Sequence, residues 1–90
     1  MALLHIMQSL RTKTTSVREN EFEIVYNLIF SNALYSLECI RVGDNEGPNN
    51  YCFAENITED EGEAEVFLQK LSKGKVFPVH IKDLVEDYFM

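Results

Sequence analysis

The clearest pattern in the sequence is a period of two between Glu21 and Phe30. The large apolar side chains of this run fall on every second position, at Phe22, Ile24, Tyr26, Leu28 and Phe30. Because successive side chains of a strand point to opposite faces of a sheet, the pattern predicts a strand over residues 21–30 with one face in a core. Residues 33–42 form a second such run and predict the next strand.

Ser31-Asn32 lies between these two runs and favours a two-residue hairpin turn, since Asn tolerates a positive φ. With that turn, Tyr26 pairs with Leu37 and Ile24 pairs with Cys39 on the apolar face. The reverse face is more polar, and we expect it to face solvent.

Two further strands complete the predicted meander. Residues 9–18 are rich in Thr, whose β-branched side chain suits a half-buried sheet, and they predict a polar edge strand. Arg11 and Lys13 on this strand discourage pairing with other chains. Residues 51–55 follow a loop rich in turn-forming residues and predict a short strand of undetermined register.

Two amphipathic helices are predicted in the last third of the chain. Thr58-Glu59-Asp60-Glu61 is a capping-box sequence, so a helix is expected over about 59–72, with Gly74 in the left-handed position after it. Its apolar residues recur at helical spacing, at Ala64, Phe67, Leu68 and Leu71.

Pro78 suits the first turn of a second helix, which we expect over about 78–89. Its apolar stripe consists of Ile81, Leu84, Val85 and Tyr88. The predicted fold class is therefore α+β, with a three- to four-stranded antiparallel meander followed by two helices on one face. Residues 9–90 form a single domain, and residues 1–8 are either a tail or a short helix that binds a partner.

The net charge of −7 is unevenly distributed. Residues 43–68 contain eight acidic and no basic residues. A negative field repels phosphates, so direct nucleic-acid binding is not expected. A basic protein partner, or solubility alone, fits this charge better.

Location follows by elimination. Two cysteines, Cys39 and Cys52, are too few for a disulfide framework, and we read both as reduced. The apolar residues 1–7 have no basic flank and no cleavage site, so neither a signal peptide nor a membrane span is predicted. A cytoplasmic protein is the expectation.

The acidic run at the start of the first helix is the strongest candidate for a binding surface. It could dock a basic partner, mimic nucleic-acid phosphates, or simply be a solvated helix start, which is the usual role of such runs. The candidate partner-binding residues are Glu59, Asp60, Glu61, Glu63 and Glu65.

His80, Asp83 and Asp87 could share one helical face and form a weak candidate metal or ligand site. A metal would need a further ligand from elsewhere, and such a face is ordinary helix surface. We therefore predict no metal and no cofactor. No catalytic motif occurs, so we expect no catalytic residue and no enzymatic activity.

The closing segment, from Val76 through Pro78, His80 and Asp83 to Asp87, reads V-x-P-x-H-[LI]-x-D-[LIV]-V-x-D. It resembles a family of short uncharacterised proteins of Gram-positive bacteria, a domain of unknown function. The resemblance implies a strand-rich half followed by helices, and it implies no chemistry.

These observations predict a small intracellular protein–protein interaction or regulatory module, either monomeric or a homodimer. It would bind through its acidic helix or an exposed strand edge. The alternative is an acidic nucleic-acid mimic that inhibits a DNA- or RNA-binding protein. A metal- or ligand-binding protein using the His80 face is less favoured.

Overall fold

Four antiparallel strands in chain order, β1-β2-β3-β4, form one sheet. The computed structural model describes residues 10–43 and 50–90, so the predicted tail or helix over residues 1–8, residue 9 and most of the predicted loop lie outside the described residues. The predicted α+β fold is confirmed. Its elements are β1 (Leu10–Arg18), β2 (Phe22–Ser31), β3 (Leu34–Gly43), β4 (Tyr51–Thr58), helix α1 (Glu61–Gly74), a 3₁₀ turn (Pro78–His80) and helix α2 (Ile81–Phe89).

The predicted β2–β3 register is wrong, because the observed pairing is shifted by two residues. The turn is Asn32-Ala33, not Ser31-Asn32, and both residues take a positive φ, of 55° and 66°. Tyr26 therefore pairs with Cys39 rather than with Leu37. Because side chains alternate with a period of two, the shift leaves every side chain on its predicted face.

Both helices cover the apolar face of the sheet. Ile24, Tyr26 and Leu28 of β2 are completely buried. The stripe predicted for α1 is buried against them, whereas in α2 only Ile81 and Val85 are buried. The remaining core residues from the sheet are Tyr35, Leu37, Cys39, Ala54 and Ile57.

The ends of α1 differ from the predicted ones. Asp60, not Thr58, is the N-cap, and its carboxylate accepts a hydrogen bond from the backbone N–H of Glu63 at 3.0 Å. At the other end Lys75, not Gly74, takes the left-handed conformation, with φ of 52°. The Lys75 ammonium lies 2.9 Å from the Glu19 carboxylate, which ties this helix end to the β1–β2 connection.

The segment between the helices is attached to the sheet through the carbonyl of Val76. The Tyr26 hydroxyl donates a hydrogen bond to this oxygen at 2.7 Å, and the Cys39 sulfur lies 4.0 Å from it. Burial raises the pKa of both groups, to about 12 for the Cys39 thiol. The buried Pro78 then begins the 3₁₀ turn, as its fixed φ favours.

The reverse face of the sheet is not simply the solvated side that its polarity predicts. Asn27 is 3% exposed and Ser36 is 4% exposed. The Ser36 hydroxyl accepts a hydrogen bond from the Asn56 backbone N–H at 2.8 Å. Asn56 has a φ of 54° at an irregularity in the β3–β4 pairing, so the chain bends over Ser36 there.

Candidate docking surface

The acidic run lies where β4 ends and α1 begins. Glu59 and Asp60 connect the two elements, Glu61 and Glu63 lie in the first turn of α1, and Glu65 follows. Carboxylates at this position are stabilised by the positive end of the helix dipole. The helix dipole accounts for part of the run, and three of its members also make specific contacts within the chain.

Asp60, Glu63 and Glu65 are engaged within the chain. The Glu63 carboxylate accepts a hydrogen bond from the Thr58 hydroxyl at 3.4 Å. Asp60 is held as the N-cap, and its own N–H donates to the Thr58 hydroxyl at 3.1 Å. Glu65 lies 3.7 Å from the Lys13 ammonium, which connects α1 to the edge strand β1. The structure therefore does not present the five predicted residues as one equivalent surface.

Glu61 and Glu65 also lie close enough to Tyr35 to affect its ionisation. Burial raises the pKa of the Tyr35 hydroxyl, and the negative charges of these two carboxylates raise it further. Glu61 is itself exposed, so it can face both Tyr35 and solvent.

Within residues 55–63, apart from the capping Asp60, there are four exposed carboxylates, and none of them forms an ion pair with a described residue. We call residues 55–63 the acidic junction, and these carboxylates belong to it: Glu55, Glu59, Glu61 and Glu63. Glu55 was missed by sequence reasoning because it belongs to a strand rather than to the helical run. Glu55 could have been included from the sequence, because no basic residue occurs between positions 43 and 68.

An open groove runs beside β4, the last strand of the sheet. It has a volume of about 460 Å³. Apolar side chains are exposed here: Tyr51 and Val79 are each 53% exposed and Phe53 is 37% exposed. The residues that line the groove are Tyr51, Cys52, Phe53, Pro78, Val79 and Lys82.

A ladder of polar side chains crosses the reverse face of the sheet and reaches the start of β4. Thr14 donates a hydrogen bond to the Asn27 carbonyl oxygen at 2.6 Å, and the Asn27 amide donates to Glu38 at 2.9 Å. The Tyr51 hydroxyl donates to the other Glu38 oxygen at 3.0 Å. Each strand contributes one member, so the ladder fixes the Tyr51 ring at the sheet edge.

The candidate metal face is not brought together as a ligand set. His80 ends the 3₁₀ turn, while Asp83 and Asp87 lie on α2, and all three are exposed. His80 and Asp83 line an open cleft of about 570 Å³ beside Val76 and Phe77, and Asp87 lies outside it. Within the described residues no group of three or more His, Cys, Asp or Glu side chains could hold a metal ion.

The two cysteines are direct neighbours across β3 and β4. Cys39 pairs with Cys52 in the register, which settles a distance that the sequence left open. Both are free thiols, Cys39 buried and Cys52 half-buried. Burial raises the pKa of both thiols, and Lys82 lowers that of Cys52 by a smaller amount. Raised pKa values are the opposite of what a reactive cysteine needs.

No helix in the described part of the chain is long and apolar enough to cross a membrane. No curated protein and no solved structure matches the chain. Residues 6–90 match the model of one protein family, described as a family of unknown function (DUF6514). This match covers the whole sheet and both helices, and the chain therefore belongs to that family.

Proposed function

We propose that this protein is an intracellular, non-enzymatic interaction module whose acidic junction binds a basic surface of a partner protein. The observation that carries the proposal is the group of four exposed carboxylates in residues 55–63, in a stretch of sequence without a single basic residue. The Gram-positive source and the closing motif, which the resemblance suggests, remain predictions beside it.

The chemistry of the junction favours recognition by charge. A single exposed ion pair contributes about 0 to 1 kcal/mol, so one carboxylate would not define a partner. Several carboxylates of one sign act together on an approaching cation, and they increase the association rate more than the lifetime of the complex. The partner should therefore be basic, and binding should weaken as salt is added.

Affinity capture from the source cells tests this proposal with two variants of equal charge. The first replaces Glu59, Glu61 and Glu63 of the junction with Lys. The control replaces Asp83, Glu86 and Asp87, which are exposed on α2, with Lys. Both triple changes shift the net charge equally, so a general charge effect would appear in both.

We expect the wild type and the α2 variant to recover the same basic protein, and the junction variant to lose it. Equal recovery by all three proteins, or equal loss in both variants, would contradict the proposal. If the recovered protein binds DNA or RNA and nucleic acid competes for the junction, the interaction is mimicry of phosphates. A partner that is neutral and insensitive to salt would also count against the acidic junction.

A further inference from the structure

We propose that Cys39 and Cys52 form a thiol–disulfide exchange site, at which a small disulfide oxidises the two thiols to an intramolecular disulfide bond. Both cysteines are free thiols in the structure. Where a compartment keeps thiols reduced, such bonds are usually transient and sense its redox state. The site uses none of the carboxylates of the acidic junction, so the inference does not depend on the function proposed above.

The pairing of β3 with β4 places the two thiols within bonding reach. Cys39 lies directly opposite Cys52 in this antiparallel pair, so both side chains point to the same face of the sheet. Directly opposite residues have Cα atoms about 4.5 or 5.5 Å apart, and disulfides span Cα separations of about 4.4–6.8 Å. Burial raises the pKa of the Cys39 thiol, and the negative charge of a Cys52 thiolate raises it further, as expected of neighbouring groups.

The two thiols differ in their access to solvent, which fixes the order in which they react. Cys52 is half-buried and lines the open groove beside β4, whereas Cys39 is completely buried. A small disulfide can therefore reach only Cys52 in the folded chain.

Lys82 lines the same groove and favours the reactive form of Cys52. Burial raises the pKa of the Cys52 thiol, and the positive charge of Lys82 lowers it by a smaller amount. The thiolate is the form that attacks a disulfide. Because the pKa of both thiols stays raised, the exchange is slow at neutral pH, which suits a switch rather than a catalytic thiol.

Two exchange steps account for all atoms and electrons. In the first, Cys52 loses its proton to solvent and its sulfur attacks one sulfur of a small disulfide, RSSR, whose S–S bond breaks; one RS⁻ leaves and takes up a proton. In the second, the Cys39 sulfur attacks the Cys52 sulfur of the mixed disulfide, and the second RS⁻ leaves with the Cys39 proton. The two cysteines are oxidised, and RSSR is reduced to two RSH.

The surroundings of Cys39 accept the loss of its thiol hydrogen. The Cys39 sulfur lies 4.0 Å from the Val76 carbonyl oxygen, and the Tyr26 hydroxyl donates a hydrogen bond to the same oxygen at 2.7 Å. This oxygen keeps the Tyr26 donor when the thiol becomes a disulfide, so oxidation leaves no acceptor unpaired there.

The geometry of opposed strand positions makes the bond reversible. Side chains directly opposite each other have Cβ atoms about 4.5–5.5 Å apart, whereas a relaxed disulfide needs about 3.5–4.5 Å. A bond between Cys39 and Cys52 is therefore strained, and strained disulfides are the ones that small thiols readily reduce.

Intact-mass spectrometry of the full chain after incubation with bis(2-hydroxyethyl) disulfide, a small neutral disulfide, tests the proposal. We expect the wild type to lose two hydrogen atoms, to keep no hydroxyethylthio group and to recover its starting mass in 2-mercaptoethanol. Cys39→Ala should stop at the mixed disulfide on Cys52, because no second thiol displaces it. Cys52→Ala is the matched control, and it should react in urea but not while folded, since Cys39 is buried.

The role of Lys82 is tested by the rate of the first step. Lys82→Gln should slow it by roughly two- to fivefold, the effect of removing one exposed charge. Lys73→Gln makes the same change in charge on α1, outside the lining of the groove, and should leave the rate unchanged. Equal rates in the two variants would show that Lys82 does not act on Cys52.

The wild type carries the decisive result, whether or not Cys39→Ala folds. A mixed disulfide that persists on Cys52 of the wild type would show that Cys39 is out of reach and would overturn the proposal. A disulfide formed only between two chains, a folded wild type that does not react, or a folded Cys52→Ala variant that reacts as fast as the wild type would overturn it equally.

Discussion

Asp60 shows how a single side chain decides where a helix begins. Thr58 and Asp60 are both good capping residues, and each is followed three positions later by Glu, at 61 and at 63. The structure uses both groups in sequence: Thr58 accepts from the Asp60 N–H, and Asp60 accepts from the Glu63 N–H. The helix can therefore start only after Asp60.

Asp60→Ala should lower the free energy of unfolding by about 1 kcal/mol, because one N–H of the first turn loses its acceptor. Glu59→Ala is the control, since Glu59 is an exposed acid of the same run that does not cap the helix. Urea unfolding of the two variants measures the difference. Equal losses would show that the contribution of Asp60 is its charge and not its capping geometry.

Cys39 makes the stability depend on pH in the alkaline range. Burial raises the pKa of its thiol from 9.0 to about 12 in the folded chain. A group whose pKa is raised on folding contributes stability that is complete below its unfolded pKa and is lost as the pH rises toward the folded value. The contribution of Cys39 should therefore be constant below pH 9 and decrease between pH 9 and about 12.

The variant Cys39→Ala lacks this ionisation and isolates its effect. It should be less stable than the wild type at pH 7, because a buried side chain is truncated, but the gap should narrow as the pH rises above 9. Denaturant unfolding at pH 7, 9 and 10.5 measures the gap. A constant gap would show that the thiol ionises equally well in both states, and a widening gap would show that folding lowers its pKa; either result would contradict the prediction.

At the scale of elements, the β2–β3 hairpin has an unfavourable turn residue. Ala33 has a φ of 66°, a conformation that costs a non-glycine residue about 1–2 kcal/mol. Glycine has no such cost but loses more backbone entropy on folding, about 0.5–1 kcal/mol. We expect Ala33→Gly to stabilise the chain by about 0.5 kcal/mol, since Asn-Gly is the preferred pair for this turn.

The control is Ser31→Gly, one residue before the turn, where the backbone is extended in β2 and glycine should destabilise. Thermal unfolding of both variants measures the effect. If Ser31→Gly stabilises the chain and Ala33→Gly does not, the turn lies at Ser31-Asn32, as the sequence alone suggests.

The same hairpin shows what the sequence could and could not predict. The period of two assigned each side chain of β2 to its face, and the helical spacing found all four buried residues of α1. The β2–β3 register could not be predicted from these patterns, because a shift of two residues moves no side chain to the other face and Asn32 can belong to either turn. The pairing of Cys39 with Cys52 depends on a different register, that of β3 with β4, which the sequence left undetermined.

The candidate surface was predicted only in part, for a related reason. Composition located the acids, but which of them are engaged depends on contacts between distant segments, such as Lys13 with Glu65. The end of β4 depends on Asn56, whose positive φ turns Ile57 into the core. A strand that continues past a polar Asn gives no periodic signal, so the prediction ended β4 at residue 55.

At the scale of the whole molecule, charge and apolar surface are separated. The four exposed carboxylates of the acidic junction lie at one end of β4, and the exposed Tyr51, Phe53 and Val79 lie along its beginning. The helices cover the opposite side of the sheet from the polar ladder. One face is thus committed to the core, and the edge at β4 offers two chemically different surfaces side by side.

Backbone amide chemical shifts can locate the docking surface residue by residue when the captured basic partner is added to the labelled protein. Docking at the acidic junction predicts that the largest changes fall on residues 55–63, and that the variant with Lys at positions 59, 61 and 63 shows none of them at the same concentration. Changes confined to α2, to β1 or to the reverse face of the sheet would contradict it.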